Sequence, residues 1–149
     1  MRVVCLNRMT VLWVVMNGMA DTGMIQHVAV EVVNEAYADR FFSLVLGLSK
    51  VKSSVLSKEL SLAIFQIDEE VRFDLYENGS TRFEVFVTGR SCTKSFAHVC
   101  IAVDERSVFF RQCQDHGLEP FFVEKKGKQL LFVRDFSGNL FEVFEKNKT

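Results

Sequence analysis

The chain has 149 residues, of which 48% are hydrophobic and 25% are charged, with 18 Lys and Arg against 19 Asp and Glu. These proportions are typical of one globular domain that can bury enough surface to fold without a structural metal or a disulfide. The net charge of −1 and the absence of a long basic run exclude the electrostatic surface that binding to a phosphate backbone requires, so nucleic acid is not an expected partner.

The four cysteines are widely spaced along the chain: Cys5, Cys92, Cys100 and Cys113. Without a C-x-x-C pair they do not indicate a zinc knuckle, a redox motif or a disulfide framework. This usage predicts a reducing, cytoplasmic environment.

Residues 1–23 differ in composition from the rest, because all five methionines lie at or before Met24 and all fifteen phenylalanines follow residue 40. The apolar stretch Val11-Leu-Trp-Val-Val-Met16 is shorter than the roughly 20 residues of a membrane span, so no membrane partner is expected. A signal peptide is one interpretation, since Arg2 and Arg8 precede the stretch. The favoured interpretation is an extension outside the domain, which then comprises residues 24–149.

An internal repeat organises that domain. Residues 25–32 (Ile-Gln-His-Val-Ala-Val-Glu-Val) and 96–103 (Phe-Ala-His-Val-Cys-Ile-Ala-Val) both predict strands, and they place His27 and His98 71 residues apart. A helical pattern follows each one, from Asn34 to Gly47-Leu48 and from Asp104 to Gly117-Leu118.

The second part of each half predicts further strands. At an offset of 68, residues 61–67 match 129–135, and the same offset places Asp74 on Glu142. Residues 82–88 are interpreted as an extra strand that joins the halves. Each half is therefore a strand, a helix and about three strands, and the modules span residues 24–80 and 95–147.

The strand alternation places His27 on one face with Ala29 and Glu31, and His98 on one face with Cys100. A pseudo-two-fold arrangement around a shared cavity would bring His27, Asp74, His98 and Glu142 together. Imidazole and carboxylate donors suit Zn, Fe, Ni, Mn or Co, and two histidines with one carboxylate form the triad of non-haem iron sites. The alternative for each histidine is a hydrogen-bonded structural role.

Four stretches carry a resemblance to a known family: Ile25-Gln-His-Val-Ala-Val30, Phe41-Phe-Ser-Leu-Val-Leu-Gly-Leu48, Phe96-Ala-His-Val-Cys-Ile-Ala-Val103 and Asp135-Phe-Ser-Gly-Asn-Leu-Phe-Glu-Val-Phe144. The pattern resembles the vicinal oxygen chelate superfamily of glyoxalases, bleomycin-resistance proteins and extradiol dioxygenases. The resemblance implies an α+β fold of two βαβββ modules, whose sheets form a curved cleft around a divalent metal. It also implies that His27, His98 and Glu142 occupy ligand positions, with Asp74 where glyoxalase-like members carry glutamate.

The resemblance implies a metal-dependent enzyme of lyase or isomerase type that chelates vicinal oxygens of a small metabolite. Glu142 is the first candidate for the proton-transferring base and Asp74 the second. Glu31 and Cys100 are candidate substrate contacts, and Glu31 would repel the carboxylates of glutathione. A homodimer is expected. The alternatives are a metal-free binding protein for an aromatic or cationic ligand and an iron-dependent extradiol dioxygenase using His27, His98 and Glu142.

Overall fold

The computed structural model describes residues 24–146. The predicted extension, with its possible signal sequence, lies outside the described residues. Within them, no helix is both long and apolar enough to cross a lipid bilayer.

The first half of the fold contains four strands and two helices. In chain order these are β1 (Val28–Val32), α1 (Glu35–Ala38), β2 (Ser49–Leu56), α2 (Lys58–Phe65), β3 (Val71–Asn78) and β4 (Thr81–Val87). Helix α1 continues directly into a π-helical segment, Asp39–Val45. The wider turn of that segment lets the consecutive side chains of Phe41 and Phe42 both enter the core.

The second half contains four strands and one helix. These are β5 (Val99–Val103), α3 (Arg106–Asp115), β6 (Phe121–Lys125), β7 (Lys128–Arg134) and β8 (Leu140–Glu145). A tight turn at Lys126 and Gly127, both with positive φ, joins β6 to β7.

The two halves form sheets of identical topology, β1-β4-β3-β2 and β5-β8-β7-β6. In each sheet the first strand of the half pairs in parallel with the last, and the other pairs are antiparallel. The predicted α+β fold of two similar modules is confirmed.

One predicted element of the first module is wrong, and another is present at a different place in the fold. Residues 61–67 do not form a strand, because most of them belong to helix α2. Ser57 caps the start of this helix by accepting a hydrogen bond from the Leu60 amide. Residues 82–88 were predicted as a strand and β4 (Thr81–Val87) is that strand, but it does not join the halves, because it pairs with both β1 and β3. The first sheet therefore continues past residue 80, to Val87.

Both predicted helices after the histidine strands are present. The Asn34 side chain accepts a hydrogen bond from the Tyr37 amide and so caps α1, whereas α3 has Glu105, not Asp104, at its N-cap. Gly47 and Gly117 follow the helical segments with φ of 69° and 79°, a conformation that glycine adopts without steric cost.

The core lies on the faces of both sheets that α1 and α3 cover, called here the helix-bearing faces, and the modules share it. The Phe41 ring packs against Phe141 of β8 at 4.7 Å between centroids, and the Phe42 ring packs against Phe83 of β4 at 5.2 Å. The opposite face of each sheet, called here the open face, carries the histidine-side residues of β1 and β5.

The loop between β7 and β8 ties the second module to the end of β1. The Ser137 hydroxyl accepts a hydrogen bond from the Val33 amide at 2.9 Å, and the Asn139 amide group donates one to the Glu31 carbonyl at 2.8 Å. Buried Asp135 accepts hydrogen bonds from the backbone amides of Ser137 and Asn139, and burial raises the pKa of its carboxyl. The stretch that resembles a family motif thus fixes one module against the other.

Candidate metal centre

A histidine–glutamate pair lies on the open face of the second sheet. Cys100 of β5 is directly opposite Glu142 of β8, and His98 lies two residues before Cys100 on the same face. The His98 Nε2 and Glu142 Oε2 atoms are 3.5 Å apart, and both side chains are partly exposed. Strand pairing therefore positions the carboxylate, and the residue immediately before β5 brings the imidazole to it.

The first sheet carries the same arrangement at the equivalent position. Ala29 of β1 is opposite Glu84 of β4, and His27 lies two residues before Ala29. The His27 Nε2 and Glu84 Oε2 atoms are 3.4 Å apart. The two pairs thus have the same strands, the same register and nearly the same separation.

The backbone next to His98 sets the tautomer of its ring. Its Nδ1 atom is 2.9 Å from the carbonyl oxygen of Phe96, and because a carbonyl can only accept, Nδ1 is the protonated nitrogen of the neutral ring. The lone pair of the neutral ring is then on Nε2, toward Glu142. Metal-binding histidines characteristically have such a hydrogen bond on the other nitrogen.

The separation within each pair suits two ligands of one metal ion. Donor atoms that are each about 2.0–2.2 Å from a metal at a tetrahedral angle lie roughly 3.4 Å apart. However, within residues 24–146 no three His, Cys, Asp or Glu side chains converge on a common point. One chain therefore presents two separate pairs of donors, and the expected convergence of four residues within it is not seen.

Asp74 does not belong with these pairs, which corrects its prediction as a ligand and base. Asp74 pairs with Val85 across the sheet, on the helix-bearing face and opposite to the face that carries Glu84. Its carboxylate is fully buried and accepts hydrogen bonds from the Ser53 hydroxyl at 2.7 Å and Arg72 Nε at 3.2 Å. It is a structural residue.

Glu84, which was not among the predicted site residues, lies beside His27 where Asp74 was expected. A signal for it was present, because Phe83-Glu-Val-Phe86 and Phe141-Glu-Val-Phe144 are identical tetrapeptides. Glu84 and Glu142 are 58 residues apart, whereas His27 and His98 are 71 apart. The spacing changes because α2 and its flanking loops are inserted in the first module only, so no constant offset aligns both ends of the repeat.

The two candidate substrate contacts, Glu31 and Cys100, also lie on the open faces. Glu31 is held by Arg90 at 3.0 Å and accepts a hydrogen bond from the Thr88 hydroxyl at 3.0 Å, so its charge is compensated. Burial, and to a lesser extent the Glu142 carboxylate, raise the pKa of the Cys100 thiol. A thiol with a raised pKa is a poor nucleophile.

Comparison with solved structures identifies the fold. The chain is similar to a glyoxalase family protein from Bacillus cereus, with a TM-score of 0.65, 18% identity, and coverage of 86% of this chain and 98% of that one. A glyoxalase family protein from Enterococcus faecalis gives a TM-score of 0.62 at 17% identity over 80% of this chain and 95% of that one. The fold is therefore that of the glyoxalase family proteins, as the sequence resemblance implied.

Fosfomycin resistance proteins share the same fold. FosX from Listeria monocytogenes, in complex with Mn(II) and 1S,2S-dihydroxypropylphosphonic acid, has a TM-score of 0.64 at 13% identity over 83% of this chain and 90% of that one. No family model matches the chain, and no curated protein sequence matches it.

Proposed function

We propose that this protein is a metal-dependent enzyme of lyase or isomerase type that acts on a small metabolite with two neighbouring oxygen atoms. The observation that carries the proposal is the pair of equivalent His–Glu arrangements on the open faces, with separations of 3.4 and 3.5 Å. Duplicated donors of this kind have no role in the shared core. The Mn(II) in the FosX structure supports a divalent cation in this fold.

A second copy of the chain completes the site in this proposal. Each chain supplies two pairs that do not converge within it, so bringing His27 and Glu84 of one copy to His98 and Glu142 of another would give four donors. Such a homodimer has two equivalent sites and binds one metal ion per chain. The exposed apolar side chains on the open face of the second sheet, including Phe121 and Phe144, support coverage by another copy.

The residues of the site perform the proton chemistry. Glu84 and Glu142 lie side by side with imidazoles, where either carboxylate can take a proton from one carbon and return it to the next. The bound cation would stabilise negative charge on two substrate oxygens. Hydrogen bonding of His98 to the Phe96 carbonyl keeps its ring oriented during that transfer.

Elemental analysis of the purified protein tests the metal site. We expect about one divalent ion per chain in the wild type, and loss of most of it in His98→Ala and in Glu84→Gln. Asp74→Asn is the matched control, because it changes a buried carboxylate outside the pairs and should keep the metal. Failure of the reconstituted wild type to bind any divalent ion would contradict the proposal.

A metal-free binding protein is the second candidate. The observation that favours it is that each imidazole already has a carboxylate 3.4–3.5 Å away, which a protonated ring would pair with in place of a metal ion. Thermal stabilisation by aromatic ligands that is unchanged by a chelator, in protein without bound metal, would support it.

The three-ligand dioxygenase stays a prediction, which oxygen uptake by the iron-loaded protein with catechols would test.

A further inference from the structure

A pocket of about 190 Å³ lies between the open face of the first sheet and helix α2. Ala29 and Phe86 of the strands form its floor, and Ser61, Phe65 and Ile67 of the helix and its following loop form its cover. The second module has no counterpart, because a tight turn replaces α2 there. The pocket is therefore a property of this chain's inserted helix and not of the repeat.

The pocket is adjacent to the first His–Glu pair. Ala29 follows His27 by two residues on the same strand face, and Phe86 follows Glu84 by two. Same-face neighbours along a strand are about 7 Å apart, so a molecule that reaches Glu84 can place its next group in the pocket.

Ser61 gives the pocket an unsatisfied polar group. Its side chain is 1% exposed, and its hydroxyl has no hydrogen-bond partner among the described residues. Its backbone amide is already used, in a bond to the Ser57 carbonyl. A buried hydroxyl without a partner is unfavourable, so a polar atom of a ligand would be bound in preference to an apolar one.

The charges at the rim select against anions. Arg90 contacts Glu31 at 3.0 Å and Glu69 at 2.7 Å, so its guanidinium is shared by two carboxylates. These three side chains carry a net charge of −1, and the guanidinium is not free to bind an anionic group.

We propose that this pocket is the subsite for an uncharged six-membered ring or a compact branched group that carries one hydroxyl. The size is appropriate, since an apolar protein cavity of about 150 Å³ holds benzene. The assignment to substrate, as distinct from any ligand, rests on the proposed function, because the vicinal oxygens of the same molecule would then lie at Glu84.

Phenol and toluene test the assignment, because they have similar shape and differ in the hydroxyl. In calorimetric titrations with chelator present, we expect the wild type to bind phenol more tightly than toluene. Ser61→Ala should weaken phenol roughly two- to tenfold and leave toluene unchanged, as expected for one hydrogen bond. Equal preference in wild type and Ser61→Ala would overturn the role of Ser61.

Filling the pocket gives an independent test. Ser61→Leu is expected to abolish binding of both probes. Ala29→Leu, which fills the pocket from the opposite wall, is the substitute if Ser61→Leu folds poorly. Ala63→Leu is the matched control on the exposed side of α2 and should bind as wild type does. Probe binding that survives both filling variants, or is absent from the wild type, would overturn the subsite even if metal binds. If protein that takes up no metal still binds the probes, the proposed metal-dependent enzyme is contradicted and the assignment of the pocket stands.

Discussion

Asp74 is the centre of a charged network on the helix-bearing face of the first sheet. Besides Ser53 and Arg72, its carboxylate lies 3.3 Å from Lys50 Nζ, which also contacts Glu35 at 2.9 Å. A buried carboxylate is tolerated only when such partners replace its hydration. The network explains how a carboxylate can be buried between Phe73 and Leu75 in the sequence of β3.

Replacement of Asp74 by alanine should therefore lower stability without removing metal. We expect Asp74→Ala to reduce the free energy of unfolding by about 1–3 kcal/mol, because Ser53, Lys50 and Arg72 lose a buried carboxylate partner. Urea unfolding measures this loss, and elemental analysis of the same preparation measures metal. If Asp74→Ala keeps wild-type stability but loses its metal, the original prediction of Asp74 as a metal ligand would be supported instead.

Asp39 makes stability depend on pH with a defined sign. Burial raises the pKa of its carboxyl, but hydrogen bonds from Lys50 and Tyr76 outweigh burial and lower that pKa below 3.8. A lowered pKa in the folded state stabilises the protein above the unfolded value, and this contribution disappears as the pH falls through the folded value.

The comparison of wild type with Asp39→Asn isolates that contribution. We expect the wild type to have the larger free energy of unfolding at about pH 7, and the difference to be smaller at about pH 2.5, which lies below the unfolded pKa of about 3.9. Urea unfolding at both values is the measurement. A difference that does not change with pH would contradict the role assigned to Asp39.

Residues that follow a local pattern were predictable, and those that depend on the register of distant strands were not. Glu142 is on the expected strand, and His27 and His98 immediately precede β1 and β5, close to where period-2 alternation and the similar octapeptides placed them. Glu84 required recognising that the spacing of the repeat changes across an insertion. The repeated Phe-Glu-Val-Phe tetrapeptide contained that information.

Helix α2 shows that a short apolar segment can be mistaken for a strand when it is a helix. Leu62 and Ile64 alternate as in a strand, yet both are about half exposed or more on a helix that buries Ser61. The decision between the two structures lies in the ends of the segment, where Ser57 caps the first turn and Gln66 adopts a left-handed conformation with φ of 61°. Neither end has the glycine or proline that would have marked it.

The C-terminal end of α2 carries removable strain. Gln66→Gly should raise the free energy of unfolding by roughly 1 kcal/mol, since glycine adopts positive φ without the clash of a Cβ atom. Leu62→Gly in the exposed middle of the same helix is the control and should destabilise by about 1 kcal/mol. Thermal or urea unfolding distinguishes the two, and destabilisation by Gln66→Gly would contradict the observed cap.

At the scale of the whole molecule, the second sheet leaves its open face uncovered. Phe121, Val123 and Phe144 there are 41%, 43% and 54% exposed. The sequence predicted two related modules, but alternation places apolar residues on both faces of these strands, so it could not indicate which faces meet within one chain. The helix-bearing faces meet, and the open face of the second sheet remains available.

Light scattering should therefore show a homodimer. Phe121→Lys adds a charge to the exposed open face and should shift the protein toward monomer, with loss of bound metal in parallel. Leu44→Lys, at an exposed position of the π-helical segment on the helix-bearing side, is the control and should remain dimeric. A wild type that is monomeric at all concentrations, or a Phe121→Lys monomer that keeps its metal, would contradict a site completed by a second copy.

The aromatic cluster shared by the modules also determines how the chain loses its structure. Phe41 and Phe42 of one half contact Phe141 of the other, and Phe83 and Phe141 lie 6.2 Å apart, so neither half can melt without exposing rings of its neighbour. Despite its duplicated architecture, the chain is one cooperative unit: calorimetry should record a single transition whose van't Hoff and calorimetric enthalpies agree. Neither half, expressed alone, would keep a closed interior.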